Sequence, residues 1–437
     1  MSIPTTIKRV IAWEALDSRG RPTVAATVCL HSGVTASAKV PSGASTGTHE
    51  ALELRDGGKR YGGRGVRKAV ANVNALLADS VIGLDVAKAN AVDIALRNAD
   101  ASTGFVHVGA NAVLAVSIAA ARAGAAAAKT SLARHLSGDG PLLLPMPMVN
   151  IISGGAHAGG LIDIQDLLVI PTAATSFADA IQWCAAIREA TGELARQRGH
   201  REAVLVADEG GLGLALASNR QALELLVAGI EHAGFTPGKD IHIALDIAAS
   251  EFYRDAGYDL STERRRLSST ELLAEVLSWC TDFPIVSIED VLAEDDWDGW
   301  IRATDTMGER LELVGDDLFV TDLNRLQHGI DAPAANSVLV KVNQNGTLKG
   351  ARDVLNLAHR SGYRTVVSAR SGETEDSWLA DLAVGWRAGQ IKVGSTHRSE
   401  RTAKWNRLLE LEATEQTTFA GPWLNGRPTQ PTISTDF

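Results

Sequence analysis

IHIALD at residues 241–246, PIVSIED at 284–290, LELVGDD at 311–317, SVLVKV at 337–342, RTVVSA at 364–369 and GQIKV at 389–393 are the runs that decide the architecture. Each is short, apolar and rich in β-branched residues, which marks a buried strand rather than a helix. The first four stop at an ionisable residue: Asp246, Glu289, Asp316 and Lys341. The last two lead to Ala369 and Lys392. Helical patterns fill the intervals of roughly 25–45 residues, enough for a strand, a helix and short loops. Strands alternating with helices predict a parallel sheet, and the length suits a closed βα barrel. Barrel chemistry gathers at the C-terminal ends of the strands. Three acids and two lysines at successive ends would therefore share one mouth. A single charged residue at one end could simply mark where a buried strand emerges into water; five in that order point to a site.

Working outward, residues 1–140 mix strand-like runs such as Thr23 to Leu30 with helical patterns from about Gly65 to Lys129 and show no regular βα alternation. They read as an α+β capping domain. Pro141, Pro145 and Pro147 then break an apolar segment, which places the boundary near 140 and the barrel domain in 141–437. A chain of 437 residues exceeds the usual reach of one core, consistent with two domains. Ala112 to Ala128 is alanine-dominated and carries Arg122, so it reads as a buried helix and no membrane is expected. The formal charge of −10 repels polyanions, so no nucleic-acid partner is expected. Cys29, Cys184 and Cys280 form no CxxC pair, and the start of the chain lacks a signal-peptide pattern. The cytoplasm is the expected location.

Three carboxylates from three strands make a hard, oxygen-rich site suited to Mg²⁺. No Cys or His accompanies Asp246, Glu289 and Asp316 at zinc-like spacing. A lysine beside divalent cations and a second lysine should have its ammonium disfavoured, which fits Lys341 for a base. Removing a proton next to a carboxylate builds up negative charge, and metal ions stabilise it.

SGASTG at 42–47, ADEGG at 207–211, ASEFY at 249–253, SIED at 287–290, AEDDWD at 293–298, GDDLFVT at 315–321, KVNQNGTL at 341–348, RSGETED at 370–376 and GQIKVGS at 389–395 follow in one order. With DSRGRPTV at 17–24, the chain resembles the enolase family over essentially its whole length. That resemblance implies an α/β fold, an enolase-type TIM-like barrel capped by an α+β domain, and a carbon–oxygen lyase that removes water from a small phosphorylated or phosphonylated hydroxy acid. It implies that Asp246, Glu289 and Asp316 hold a first Mg²⁺. Ser45 would ligate a second ion arriving with substrate, Lys341 would take the α-proton, and Glu209 would protonate the departing hydroxyl. Arg370, Ser371 and His157 would bind the phosphoryl group, and Gln165 and Lys392 would surround the carboxylate. A homodimer is expected.

The resemblance has gaps. Ala369 stands where the family carries a histidine, Asp166 where it has a glutamate, Val393 where it has a threonine, and Ser153 where it has an asparagine. The proline–asparagine pair that follows DEGG in the family is replaced by Leu212-Gly213. Glu410 and Ala413 replace charges that bridge the family's dimer, although Arg19 remains. These departures imply a specialised paralogue with altered phospho or phosphono specificity. Ordinary glycolytic enolase activity is the alternative, and a non-catalytic binding scaffold is a third reading.

Overall fold

The computed structural model describes residues 5–43, 47–88 and 90–420. Strands Ile7–Leu16, Pro22–Leu30 and Thr35–Lys39 form an antiparallel meander in the first domain. Helix Ala110–Ala127 packs on its second and third strands, where small alanines allow close approach; Ala112, Ala115, Ala119 and Ala123 are fully buried. The expectation of a buried helix fits this placement.

The second domain closes an eight-stranded barrel. Its strands run in spatial order Met146–Ser153, Asp166–Ile170, His242–Asp246, Ile285–Glu289, Glu312–Gly315, Ser337–Val340, Arg364–Ser368 and Gly389–Gly394, and the last pairs back to the first. The parallel strands expected from residue 240 onward are joined by one strand that runs the other way. Strand Asp166–Ile170 runs antiparallel to both neighbours. The connection from Ser153 to Asp166 contains one short 3₁₀ turn at Gly155–His157 and no crossover helix. A parallel return needs such a crossover, so the chain turns back on itself. From His242 onward the neighbouring pairs are parallel.

Period-two alternation builds the barrel interior in layers. Met146, Met148, Leu168, Ile170, Ala244, Val314, Leu339 and Val366 belong to one apolar plug, separate from the core beneath the helices. Two residues beyond Ala244, Val314 and Leu339, on the same face, come Asp246, Asp316 and Lys341. The opposite end is polar too. Buried Glu312 accepts from Ser287 Oγ at 2.8 Å and Gln390 Nε2 at 2.7 Å. The plug therefore separates a polar floor from a charged mouth.

Helices are started by local caps. Ser268 and Glu271 form a capping box on Ser269–Asp282, and Ser176, Ser218, Asp322 and Thr347 cap four others.

Candidate active site and metal centre

Asp246 and Glu289 are the last residues of their strands, and Asp316, Lys341 and Ala369 each follow directly after one. Lys392 departs from the expected pattern, because its strand continues to Gly394. Its long side chain still reaches the mouth. Nζ donates to Asp246 Oδ2 at 2.6 Å and Glu289 Oε2 at 2.7 Å. Lys341 Nζ donates to Asp316 Oδ2, and Gln344 Nε2 donates to Asp316 Oδ1 at 2.9 Å. Gln165 Nε2 donates to Asp246 Oδ2 at 3.2 Å. All five expected charged groups thus meet around one opening, with the ammonium groups interleaved among the carboxylates.

The donor set fits a hard cation. Glu289 Oε1 and Gln165 Oε1 are buried oxygens without a hydrogen-bond partner, and a buried acceptor normally has one. Asp316 also belongs to a compact acidic set with Asp290 and Asp317, whose ligand atoms lie within 4.8 Å of one another. Asp290 accepts the backbone N–H groups of Asp316 at 2.9 Å and Asp317 at 2.8 Å, which orients the turn carrying both acids.

The expected depression of Lys341 is not found in the protein alone. Burial works against its charge, but Asp316 and Glu289 together more than compensate and hold the ammonium above its ordinary range. Lys392 is likewise opposed by burial yet raised well above the ordinary value by Asp246 and Glu289. The carboxylate cage, before any cation joins it, favours both ammonium ions; a cation engaging the same oxygens would reverse that balance. Burial and the neighbouring Asp246 push Glu289 well above the usual carboxylate range.

A second wing contains His157, Asp166 and Glu209, another set with ligand atoms within 4.8 Å. His157 Nδ1 lies 2.9 Å from Asp166 Oδ2, and Nε2 lies 3.7 Å from Glu209 Oε1. Burial disfavours the imidazolium, but Asp166 and Glu209 more than compensate and push His157 up to about 9. Asn150 Nδ2 donates to both Asp166 Oδ1 and Ser153 Oγ. The two departures at Ser153 and Asp166 are therefore joined in one network. Burial opposes ionisation of Glu209, while His157, Arg401 and Lys392 lower it overall, so Glu209 rests as a carboxylate. Its loop is pinned to the last strand by Ser395 N–H donating to Glu209 O at 2.9 Å. Gly210 has φ +88°, and a Cβ there would meet His397 O at 2.5 Å, so this turn requires glycine.

The third wing is Arg370 and Ser371. His157, Gln165, Glu209, Asp246, Lys341, Ala369, Arg370, Ser371 and Lys392 all line one cleft. Ala369 offers only a methyl group there, between neighbours Ser368 and Arg370, and Val393 adds an apolar wall. Ser45 lies outside the described residues, so its expected metal role has no structural account here.

Sequence reasoning assigned no role to Glu50, Asn343, Gln344 or Arg401. Arg370 Nη1 donates to Glu50 Oε2 at 2.9 Å and Asn343 Oδ1 at 3.0 Å. Fully buried Arg401 donates to the backbone carbonyls of Arg370 at 2.7 Å and Val393 at 3.0 Å, bracing the two strand ends. Asn343 and Gln344 stood within KVNQNGTL, and Glu50 stood just beyond SGASTG; proximity to those motifs was the available signal. Arg19, considered for a dimer bridge, is directed inward, donating to Ser42 O at 2.9 Å and Gly43 O at 3.1 Å. Glu410 pairs with Arg407 of its own helix at 2.9 Å.

Two family models match this chain. The enolase N-terminal domain model covers residues 7–136, and the enolase C-terminal TIM barrel domain model covers residues 141–425. With nearly the whole length accounted for and the acidic mouth formed by the barrel, the chain belongs to the enolase family, an enolase-type lyase with a metal-binding acidic centre.

Proposed function

We propose that this protein removes water from a 2-phospho- or phosphono-substituted hydroxy acid that carries an additional carboxylate, as carboxyphosphonoenolpyruvate synthase does in phosphinothricin-type biosynthesis. The observation that carries this reading is Ala369. Its methyl group lines the same cleft as the cationic side chains of Lys341, Arg370 and Lys392. A histidine there would fill volume; the alanine leaves room, and the surrounding cations favour a further anionic substituent.

Asp246, Glu289 and Asp316 would hold the first Mg²⁺, and Ser45 would help to hold a second. Bound Mg²⁺ supplies positive charge that offsets the acids and stabilises negative charge developing on the substrate carboxylate. Lys341, whose ammonium Asp316 holds in the protein alone, would accept the α-proton. The carbon–hydrogen electron pair forms the new double bond, and the hydroxyl leaves as water with a proton from Glu209. An arriving polyanionic substrate raises the proton affinity of Glu209, converting the resting carboxylate to the acid this step requires. His157, Arg370 and Ser371 would hold the phosphoryl or phosphonyl group. Gln165 and Lys392 would face the carboxylate, and Asp166 would orient His157.

The runner-up is turnover of 2-phosphoglycerate to phosphoenolpyruvate, favoured by the survival of both proposed proton-transfer groups. Steady-state assays of purified protein with Mg²⁺ separate the two. Negligible conversion of 2-phosphoglycerate, with turnover of the carboxylated phosphonate substrate, is expected. Turnover of 2-phosphoglycerate at a rate typical of the family would sink the specialised reading. Ala369→His should raise activity on 2-phosphoglycerate while reducing it on the bulkier substrate. The expected homodimer is checked by light scattering on a sizing column.

A further inference from the structure

Arg370 is 3% exposed, so its guanidinium needs a buried counter-charge. The N-terminal domain supplies one. Glu50 grips both terminal nitrogens, with Nη1 2.9 Å from Oε2 and Nη2 3.1 Å from Oε1. This is the two-pronged geometry by which guanidinium also binds phosphate. We propose that Glu50 is a resident counter-anion for Arg370, which an incoming phosphoryl or phosphonyl group must displace or share, making it a positioning residue that sets the threshold for anion binding. The proposal rests on the reading that Arg370 receives that group.

Three observations support competition. First, among the described residues Arg370 Nη1 also donates to neutral Asn343 Oδ1 at 3.0 Å, and Glu50 places a carboxylate directly on the fork. Second, Glu50 is held from its own segment: Oε1 accepts Gly47 N–H at 3.0 Å, while Ala51 N–H donates to Gln344 O at 2.9 Å. Thr48 is fastened to Glu294 by N–H at 3.0 Å and Oγ1 at 2.6 Å. The backbone around Glu50 is thus anchored across the barrel mouth, and only its side chain need move. Third, Glu50 and Asn343 line a neighbouring cleft with Gly43, Gly47 and Glu53, which gives a displaced carboxylate space.

The consequence is selective. A weakly bound monoanion cannot compete with a preformed buried ion pair, whereas a dianionic phosphoryl group can.

The test is binding of inorganic phosphate, by calorimetry in the presence of Mg²⁺, to the full-length protein and to Glu50→Gln, Glu50→Asp and Arg370→Gln. If the competent fork is free about one-tenth of the time, Glu50→Gln should tighten phosphate binding roughly tenfold. Glu50→Asp, too short to hold both nitrogens, should show a smaller gain in the same direction. A purely structural Glu50 predicts the opposite sign, because a disordered Arg370 binds phosphate less well. Unchanged or weaker binding in both Glu50 variants, with Arg370→Gln still losing affinity, overturns the proposal alone. Unchanged affinity in Arg370→Gln overturns the proposal together with the assignment of Arg370 as the anion site.

Discussion

Lys392→Met tests the electrostatic account of the mouth without relying on turnover. The ammonium lies 2.6 Å from Asp246 and 2.7 Å from Glu289, and the three side chains are 6%, 3% and 3% exposed. Methionine preserves much of the volume but leaves two buried carboxylates facing each other. Removing one partner of a buried ion pair costs about 3–5 kcal/mol. Glu289 relieves part of this by taking up a proton, since burial and Asp246 already raise its pKa, so the lower end of about 3 kcal/mol applies near neutral pH. A raised carboxyl contributes stability that is present at low pH and lost as pH rises through its folded value. The penalty in the variant should accordingly shrink on acidification. Saturating Mg²⁺ should also shrink it, since binding at about 100-fold over Kd contributes roughly 2.7 kcal/mol and the variant lacks a competing ammonium. Urea unfolding followed by tryptophan fluorescence, in chelator and in Mg²⁺, measures both effects. A loss below about 1 kcal/mol in chelator, or the same loss with and without Mg²⁺, would refute the claim that Lys392 balances the metal-binding acids.

Two further outcomes follow from the site. His157, raised from 6.5 to about 9, contributes stability that is fully present below pH 6.5 and lost as pH rises through 9. The stability gap between wild type and His157→Gln, on the order of 2 kcal/mol at low pH, should close across that window in pH-dependent urea titrations; a gap that widens with pH would contradict the Asp166 pairing. Lys341→Ala should abolish exchange of the substrate α-proton with D₂O, observed by proton NMR, and lower kcat by roughly 10³-fold or more. Retained exchange would remove Lys341 as the base.

The runs at 241–393 made the barrel legible because a buried strand must be apolar along its length and a mouth residue need not be. That contrast survives in one dimension, which is why Asp246, Glu289, Asp316 and Lys341 could be placed at strand ends from the chain alone. Direction was less legible: Asp166–Ile170 has the same apolar composition whether parallel or antiparallel, and its reversal depends on a connection without a crossover helix. The charge balance on Lys341 depends in the same way on contacts that the chain alone does not give. The sequence brings the two lysines and three acids to one mouth but does not pair them, and in the protein alone Asp316 holds the Lys341 ammonium in place.

By itself the sequence determined the family, the barrel, and the chemical types gathered at its mouth, because those depend on periodicity and ordered motifs. Only the tertiary structure decided who partners whom. It joined Ser153 and Asp166 through Asn150, turned Arg19 inward, and set Glu50 on Arg370 across 320 residues of chain. Hydrogen bonds and ion pairs act over a few ångströms, and that distance is fixed by the closed barrel and its cap rather than by separation along the chain.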